Sequence, residues 1–277
     1  MKPLLVVDGD SFAHRAYHAI PKSIRRRDGG AGNALFGFSN MLLRLWQDEH
    51  PRTVLVAWDT LDVPTYRHEA LAAYQGGREF EEELLEQLNL LPALVASSGL
   101  SYAKAPGFEA DDFLGAAVTY EEDGGGTVLV ATSDRDAFQL ASSRTTILQP
   151  VRGEAPARIG PAEVRERYGV DPEQVVDFIA LRGDPSDRIP GARGIGPKKA
   201  AELLAQYGSL DALLAEGRFA VEADALRLYR EIATLDRSAP LPPLPDVSPD
   251  WTASAAHARE LGLDGLAGRF EEAVSWR

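Results

Sequence analysis

Short apolar runs that end in aspartate are the main hydrophobic pattern of the chain. LLVVD at 4–8 and TVLVAWD at 53–59 are rich in valine and leucine, and TVLVAT at 127–132 repeats the pattern. Apolar runs of this length are typical of strands buried on both faces of a sheet. Helical patterns separate them at 33–49, 81–98 (interrupted at Pro92) and 111–121. The alternation predicts an α/β fold, with a mainly parallel central sheet and helices on both faces.

Beyond about residue 155 the strand pattern fades and helical patterns follow one another. The predicted helices at 161–168, 172–181 and 197–207 each open with proline, which is favoured at the first helical position. The segment from Pro240 to Asp250 predicts an extended connector to a short helical tail. We therefore expect an α/β core over residues 1–155 and a helical region with a C-terminal tail over residues 156–277.

Acidic residues stand at the ends of the predicted strands, at helix starts and in turns. They are Asp8, Asp59, Glu109, Asp111, Asp112, Asp134, Asp136, Asp184 and Asp187. In open α/β sheets the ligand crevice lies beyond the carboxyl ends of the strands, so these acids are expected to share one pocket. Two carboxylates about 4 Å apart repel by about 4 kcal/mol at an effective dielectric of 20, so the cluster requires counter-cations. Among hard ions that prefer oxygen ligands, Mg²⁺ is the first candidate and Mn²⁺ the second. A carboxylate cluster that binds such ions predicts a phosphoryl-transfer site.

Each acidic pair also has a purely structural interpretation, because Asp caps helices and forms Asx turns. The formal charge of −13 and a pI near 4.9 argue at first against a polyanionic partner. However, bound cations would invert the field around the acidic cluster. An ordinary acidic enzyme with solvated arginines stays open on charge alone.

Composition and hydropathy predict a soluble cytoplasmic protein. The chain of 277 residues has no cysteine, which is compatible with a reducing compartment. Its first apolar run is too short for a signal peptide, and no segment reaches the roughly 20 apolar residues that span a bilayer. No membrane partner is therefore expected.

A glycine-rich turn before a helix is the second informative motif. Gly194 and Gly196 precede Pro197, so backbone N–H groups at the helix start are free, with Lys198 and Lys199 beside them. Such an arrangement binds a phosphate without reading bases. The alternative is a plain helical hairpin, since a lone GxG is weak evidence.

Several segments, taken in order, resemble the bacterial 5′-nuclease family, the flap endonuclease/5′-3′ exonuclease found at the amino end of DNA polymerase I and as free-standing proteins. They are LLVVDGDSFAHRAYHA, NALFGFSNML, VAWDT, YRHEALAAYQGGR, PGFEADDFLG, ATSDRDAFQL and LRGDPSDRIPGARGIGPKKAAELL. The resemblance covers residues 3–237 and implies a PIN-like core followed by an all-helical helix-hairpin-helix DNA-binding region at about 190–216. We expect a free-standing nuclease, or a fragment cut to one.

The resemblance implies two-metal hydrolysis of phosphodiesters at 5′ flaps and ends, as in Okazaki fragment processing during DNA replication and repair. It places Asp8, Asp59, Glu109 and Asp111, with Asp112 beside them, around a first ion. It places Asp134, Asp136, Asp184 and Asp187 around a second.

For DNA contacts the resemblance implies Arg15, Arg78 and the hairpin from Gly194 to Lys199, with a bound K⁺. It implies a helical arch over about 66–91, with Asp8, Asp59 and Arg78 in catalytic roles. It also implies flapped, nicked or gapped duplex as substrate, a separate DNA polymerase as partner, a monomeric state and a nucleoid-associated location.

Three departures from the family pattern stand out. Gln75 replaces the usual lysine that meets the scissile phosphate, the segment after Arg78 is acidic where the family is basic, and Arg188 replaces a common asparagine. Gln75 keeps open a catalytically weak DNA-junction-binding protein as one alternative. A PIN-type ribonuclease, which also has a carboxylate-rich α/β site, is the other.

Overall fold

A computed structural model describes residues 2–61, 63–76 and 80–276. Its central sheet has strands β1 (Leu4–Asp8), β2 (Thr53–Ala57), β3 (Ser101–Ala103), β4 (Val128–Ala131), β5 (Thr145–Gln149) and β6 (Ala157–Ile159). The strands lie in the order β3-β2-β1-β4-β5-β6. All neighbours are parallel except β6, which runs antiparallel to β5 at the edge. The predicted mainly parallel sheet is confirmed.

Helices cover this sheet and continue beyond it. They are α1 (Gly9–Ala19), α2 (Asn33–Glu49), α3 (Tyr66–Ala70), α4 (Glu82–Ser97), α5 (Ala110–Asp123), α6 (Pro161–Tyr168), α7 (Val175–Arg182), α8 (Pro197–Tyr207), α9 (Leu210–Ala215), α10 (Ala223–Ala233), α11 (Trp251–Glu260) and α12 (Asp264–Ala273). Short 3₁₀ helices occupy Asp136–Leu140 and Pro172–Gln174. Within the described ranges, no helix has the length and apolarity that a membrane span requires.

The two faces of the sheet bury different side chains because successive residues of a strand point to opposite sides. Leu4 and Val6 of β1 pack into the core shared with α5 and the helices from α7 to α10. Leu5 and Val7 pack into the core shared with α1, α2, α4, α11 and α12. Burial on both faces explains why these strands read as continuous apolar runs.

The C-terminal tail returns to the core. Residues 239–250 contain no regular helix or strand, which confirms the predicted connector. Along this connector, Arg52 Nη1 donates to the Leu244 carbonyl at 2.7 Å and Val247 N donates to the Arg52 carbonyl at 3.0 Å. Helices α11 and α12 then pack on the face formed by α2 and α4. The sheet itself continues to Ile159, a few residues past the predicted boundary at 155.

Helix α4 corrects one prediction, because it runs through Pro92 without a break. Proline removes one backbone hydrogen bond from a helix interior. Here the apolar face of α4 continues on both sides of the proline, with Leu88, Leu91 and Leu94 all buried. Packing of that face against the core outweighs the missing bond, so propensity alone placed the interruption wrongly.

Candidate active site

A cavity of about 1000 Å³ opens at the carboxyl ends of β1, β2 and β4. Nine carboxylate side chains line it: Asp8, Asp10, Asp59, Glu109, Asp111, Asp134, Asp136, Asp184 and Asp187. Eight of these are the acids that the sequence pointed to, and they come from segments up to 179 residues apart between Asp8 and Asp187. Parallel strands bring their carboxyl ends to one edge, which is why the acids meet there.

Asp8 and Asp59 are held in place by hydrogen bonds from neighbouring elements. Asp8 caps α1 by accepting from Ser11 N at 2.9 Å, and its other oxygen accepts from the Thr132 hydroxyl at 2.7 Å. Asp59 Oδ1 accepts from Ala110 N at 2.7 Å, at the start of α5. The backbone of Asp59 donates to Asp10 Oδ2 at 2.7 Å. Strand β1, strand β2 and helix α5 are thus locked together at the cavity floor.

The start of helix α5 presents two acids to the cavity, the N-cap residue Glu109 and Asp111 in the first turn. Glu109 accepts from the Thr65 hydroxyl at 2.8 Å and from the Tyr74 hydroxyl at 2.9 Å. Asp111 Oδ1 is buried without a hydrogen-bond partner among the described residues, and its nearest cation is Arg67 Nη1 at 3.7 Å. A buried carboxylate oxygen without a donor is costly, so this atom indicates that a ligand belongs beside it.

Asp112 is placed differently from the prediction that it lies beside the first ion. Its side chain is fully buried outside the cavity, and Arg67 grips both of its oxygens at 2.6 and 2.9 Å. Backbone N–H groups of Glu109 and Asp236 donate to it at 3.0 and 2.8 Å. These four donors occupy its oxygens, so we assign Asp112 a role in fixing α5 to α3 and to the segment after α10.

The remaining acids come from the segment after β4 and from the turn after α7. Asp134 Oδ1 accepts from Asp136 N at 2.9 Å, so the two carboxylates follow β4 in one tight turn. Asp184 accepts from Ser186 N at 2.8 Å and from Arg182 Nη2 at 3.1 Å. The turn from Asp184 to Asp187 closes because Asp184 and Ile189 exchange two backbone hydrogen bonds of 2.8 Å.

The chemistry of this donor set fits hard divalent cations. Within residues 2–61, 63–76 and 80–276, no three acidic or histidine side chains already form a metal-binding group, so coordination requires carboxylates to rotate toward an ion. The oxygens available, including the unpartnered oxygen of Asp111, are the ligands that Mg²⁺ and Mn²⁺ prefer. Bound cations would also relieve the mutual repulsion of nine carboxylates.

Burial in this cavity shifts the titration of its acids. Desolvation raises the pKa of Asp8 from 3.8 to about 7, although hydrogen bonds from Thr132 and Ser11 oppose the rise. Desolvation also raises the pKa values of Asp10, Asp111 and Asp136. A neighbouring carboxylate adds repulsion in each case: Asp59 acts on Asp10, Asp112 on Asp111 and Asp134 on Asp136. Without metal, the folded state therefore holds protons that the unfolded chain releases above about pH 4.

We expect the melting temperature of the metal-free protein to fall as pH rises from 5 to 8. The raised pKa values stabilise the fold at low pH, and that stabilisation disappears as pH passes the folded pKa near 7. A fall of about 5 °C corresponds to roughly 2 kcal/mol for a chain of this size. Thermal melting in EDTA measures it, with Asp8→Asn as the matched variant expected to flatten the curve. A wild-type melting temperature that stays level or rises over this range would contradict the assignment.

The predicted DNA-binding residues that the structure describes lie on α1 and at the start of α8. Arg15 lines the acidic cavity on α1. Gly194 and Gly196 precede α8, and Gly194 has φ of 73°, a left-handed conformation that glycine adopts without strain. Lys198 and Lys199 are exposed on the first turn of α8. Arg78 lies outside the described residues.

The structure shows the surroundings of Gln75 and Arg188, two of the three departures from the family pattern. Gln75 lines the cavity and its Nε2 donates to the Tyr74 hydroxyl at 2.9 Å, which places it beside Glu109. Arg188 has φ of 57°, a left-handed conformation in which asparagine is enriched and arginine is not. The family asparagine therefore suits the backbone of this turn better than the arginine found here.

The acidic segment of the third departure is paired within the chain. Lys22 contacts Glu81 at 2.6 Å, Arg25 contacts Glu83 at 2.7 Å and Arg26 contacts Glu86 at 2.8 Å. The loop after α1 thus neutralises the start of α4.

Sequence reasoning missed two residues of the site. Asp10 is the second residue of α1 and lies two residues after Asp8. The DGD sequence at the end of β1 was the pattern that could have identified it. Arg67 is 1% exposed and lies within 3.5 Å of Glu109 and 3.7 Å of Asp111. A lone arginine on a predicted helix carries no signal of burial, because arginine is almost never fully buried unless it is paired.

Two family models match most of the chain. The family model described as "5′-3′ exonuclease, N-terminal resolvase-like domain" matches residues 3–169, and the one described as "5′-3′ exonuclease, C-terminal SAM fold" matches residues 170–249. DNA polymerase I of Mycobacterium tuberculosis is 39% identical over 256 residues, which is 88% of this chain and 28% of that protein. The chain thus spans less than a third of this curated relative.

Solved structures share the fold. A zinc-bound T5 5′-exonuclease superposes with a TM-score of 0.71 at 18% identity, covering 99% of this chain and 100% of the other. The bacteriophage T5 D15 flap endonuclease, in a pseudo-enzyme-product complex with DNA and metal ions, gives a TM-score of 0.71 at 18% identity, covering 98% of each chain.

Proposed function

The chain belongs to the 5′-3′ exonuclease family, and we propose that it hydrolyses DNA phosphodiesters at 5′ flaps and 5′ ends, next to the junction of single strand and duplex. The observation that carries the proposal is the convergence of nine carboxylates in one cavity at the carboxyl ends of β1, β2 and β4. Processing of Okazaki-type flaps in replication and repair is the role that such an activity serves.

Two groups of acids would hold the ions. Asp8, Asp59, Glu109 and Asp111 form one group, and Asp134, Asp136, Asp184 and Asp187 form the other. Two bound Mg²⁺ or Mn²⁺ ions would supply an attacking water of lowered pKa and would neutralise charge on the leaving 3′ oxygen.

The protein itself orients and balances these ligands. The Ser11 and Thr132 donors fix both oxygens of Asp8, and the Asp10 carboxylate fixes the backbone of Asp59. The guanidinium of Arg67 offsets the charge of Glu109 and Asp111 from behind the cavity. Gln75 presents a neutral amide to the same space, so positive charge near the substrate phosphate must come from Arg15 and from cations at the rim.

The helical hairpin is proposed to hold the duplex. Exposed Lys198 and Lys199 flank the N-terminus of α8, where free N–H groups and the helix dipole favour a phosphate. A K⁺ ion at this hairpin and a separate DNA polymerase acting on the same junction belong to the same proposal.

Cleavage of paired substrates tests the proposed function. A labelled duplex with a DNA 5′ flap should be cut in Mg²⁺ or Mn²⁺ to products with a 5′-phosphate and a 3′-hydroxyl, and EDTA should stop the reaction. An identical duplex with an RNA flap and a free RNA strand serve as comparisons. Preferential cleavage of free RNA would favour a PIN-type ribonuclease, and tight junction binding without cleavage would favour a non-catalytic binder.

Gln75→Lys is expected to raise single-turnover flap cleavage by roughly tenfold, or about 1.4 kcal/mol of barrier. Preorganised charge near a phosphate is typically worth about 2.7 to 4 kcal/mol, and the gain is smaller here because the new ammonium would share Glu109. Gln75→Met is the control for length without charge. The affinity for the flap substrate in Ca²⁺ should change less than the cleavage rate. Equal cleavage rates for wild type and Gln75→Lys would show that Gln75 does not face the scissile phosphate.

The double variant Lys198→Ala/Lys199→Ala is expected to weaken duplex binding and to flatten its salt dependence. The slope of log K against log [salt] falls by up to about one unit for each phosphate that the variant no longer neutralises. Fluorescence anisotropy across a KCl series measures the slope. Lys2→Ala is the control, because Lys2 is exposed before β1 at the opposite end of the strand from the cavity. A slope equal to that of wild type would identify α8 as an ordinary helical hairpin.

A further inference from the structure

A second cavity, of about 670 Å³, lies between the acidic cavity and helix α8. The turn after β4, the end of α6, α7 and the first half of α8 form its walls. Arg135 and Arg182 line both cavities, so the two are adjacent. We call this second space the basic cavity, after the cations that line it: Arg135, Arg167, Arg182 and Lys198.

The charge of the basic cavity is opposite to that of the chain. Four cations face one carboxylate, Glu202, which leaves a formal charge of +3 in a protein of net charge −13. Among the described residues, no ion pair or side-chain hydrogen bond occupies the guanidinium of Arg135 or the ammonium of Lys198. Structural arginines elsewhere, such as Arg165 with Asp171 at 2.5 Å, are paired. The exposed side chains of Arg135 and Lys198 are therefore available to an anionic ligand, whereas Arg167 Nη1 donates to Gln149 Oε1 at 2.6 Å and Arg182 pairs with Asp184.

One of the cations is preorganised. The Arg182 guanidinium lies over the rings of Tyr168 and Phe178, at 5.7 and 5.3 Å from their centroids. Those rings stack on each other at 4.9 Å, and Arg182 Nη2 donates to Asp184 at 3.1 Å. Its Nε is buried without a hydrogen-bond partner in the described structure. A guanidinium fixed in this way loses little entropy when a phosphate oxygen approaches it.

We propose, building on the nuclease function above, that the basic cavity is a phosphate subsite for the one or two backbone linkages on the duplex side of the cut bond. The shared residues Arg135 and Arg182 would contact the linkage next to the cut, and Arg167 would contact the following one. Lys198 at the far wall connects this path to the helical hairpin. The cations would thus set where along the strand the acidic cavity cuts.

Site-specific removal of phosphate charge tests the subsite. Methylphosphonate replaces one linkage at a time in a 5′-flap duplex, and binding is measured in Ca²⁺ by anisotropy. In wild type, a neutral linkage at the first or second position on the duplex side should weaken binding about fivefold or more. In Arg135→Gln/Arg167→Gln the same replacement should cost less than twofold, because the guanidinium groups that meet the linkage are already absent. This variant should also lower the salt slope by about one to two units.

Arg165→Gln is the matched control, because Arg165 shares α6 with Arg167 but pairs with Asp171 outside the basic cavity. It should keep the full methylphosphonate penalty. If Arg135→Gln/Arg167→Gln keeps that penalty too, or couples to linkages in the flap, the subsite is wrong while wild-type flap cleavage still supports the nuclease. If wild type neither binds nor cuts the flap, the proposed function falls, and the subsite with it.

Discussion

Asp134→Ala is expected to lower single-turnover cleavage of a 5′ flap in Mg²⁺ by about a thousandfold. A metal ion contributes several kcal/mol of charge stabilisation to such a reaction, and about 4 kcal/mol corresponds to this factor. The side chain of Asp134 lines the cavity, and its Oδ1 also accepts from Asp136 N, so its removal would delete one proposed oxygen ligand and loosen another.

The fold should survive this change, since removing one acid from a repulsive cluster can stabilise the metal-free protein. Asp123→Ala is the control, because Asp123 is an exposed acid at the end of α5, away from the cavity. Cleavage by Asp134→Ala within tenfold of wild type, at saturating Mg²⁺, would remove Asp134 from the metal ligands.

Arg67→Met is expected to destabilise the protein by about 3–5 kcal/mol. Arg67 is buried and donates to both oxygens of Asp112 and to the Ile232 carbonyl, so the substitution strands a fully buried carboxylate. Breaking one side of a buried ion pair typically carries a cost of this size. Urea denaturation in EDTA measures the change.

Asp112→Asn in the Arg67→Met background separates charge from packing. Asp112 accepts from Glu109 N at one oxygen and from Asp236 N at the other, so the amide keeps an acceptor for one of these two N–H groups and removes the stranded charge. We expect the double variant to recover about half of the stability that Arg67→Met removes. A destabilisation below about 1 kcal/mol in Arg67→Met alone would show that the pair does not hold α3, α5 and the segment after α10 together.

The position of the site followed from chain order, because apolar runs ending in acids identify strands whose carboxyl ends must meet. The direction in which each acidic side chain points could not be predicted from chain order. Asp111 and Asp112 are adjacent on α5, yet one faces the cavity and the other faces Arg67. A helix turns 100° per residue, so neighbours point apart, and which one faces inward depends on how the helix docks.

The sequence also could not predict the short edge strands or the continuation of α4 through Pro92. β3 and β6 span three residues each, and hydropathy does not distinguish such segments from loops. Helix α4 passes through Pro92 because its apolar face is buried along its whole length. In both cases packing between distant elements decides the local structure.

Diffraction from crystals grown with Mn²⁺, measured at the manganese absorption edge, tests the central claim most directly. The acid-lined cavity is predicted to contain two anomalous peaks, one bounded by Asp8 and Asp111 and the other by Asp134 and Asp184. An empty cavity, at a Mn²⁺ concentration that supports full flap cleavage in solution, would contradict the assignment of these carboxylates as the metal ligands of a nuclease.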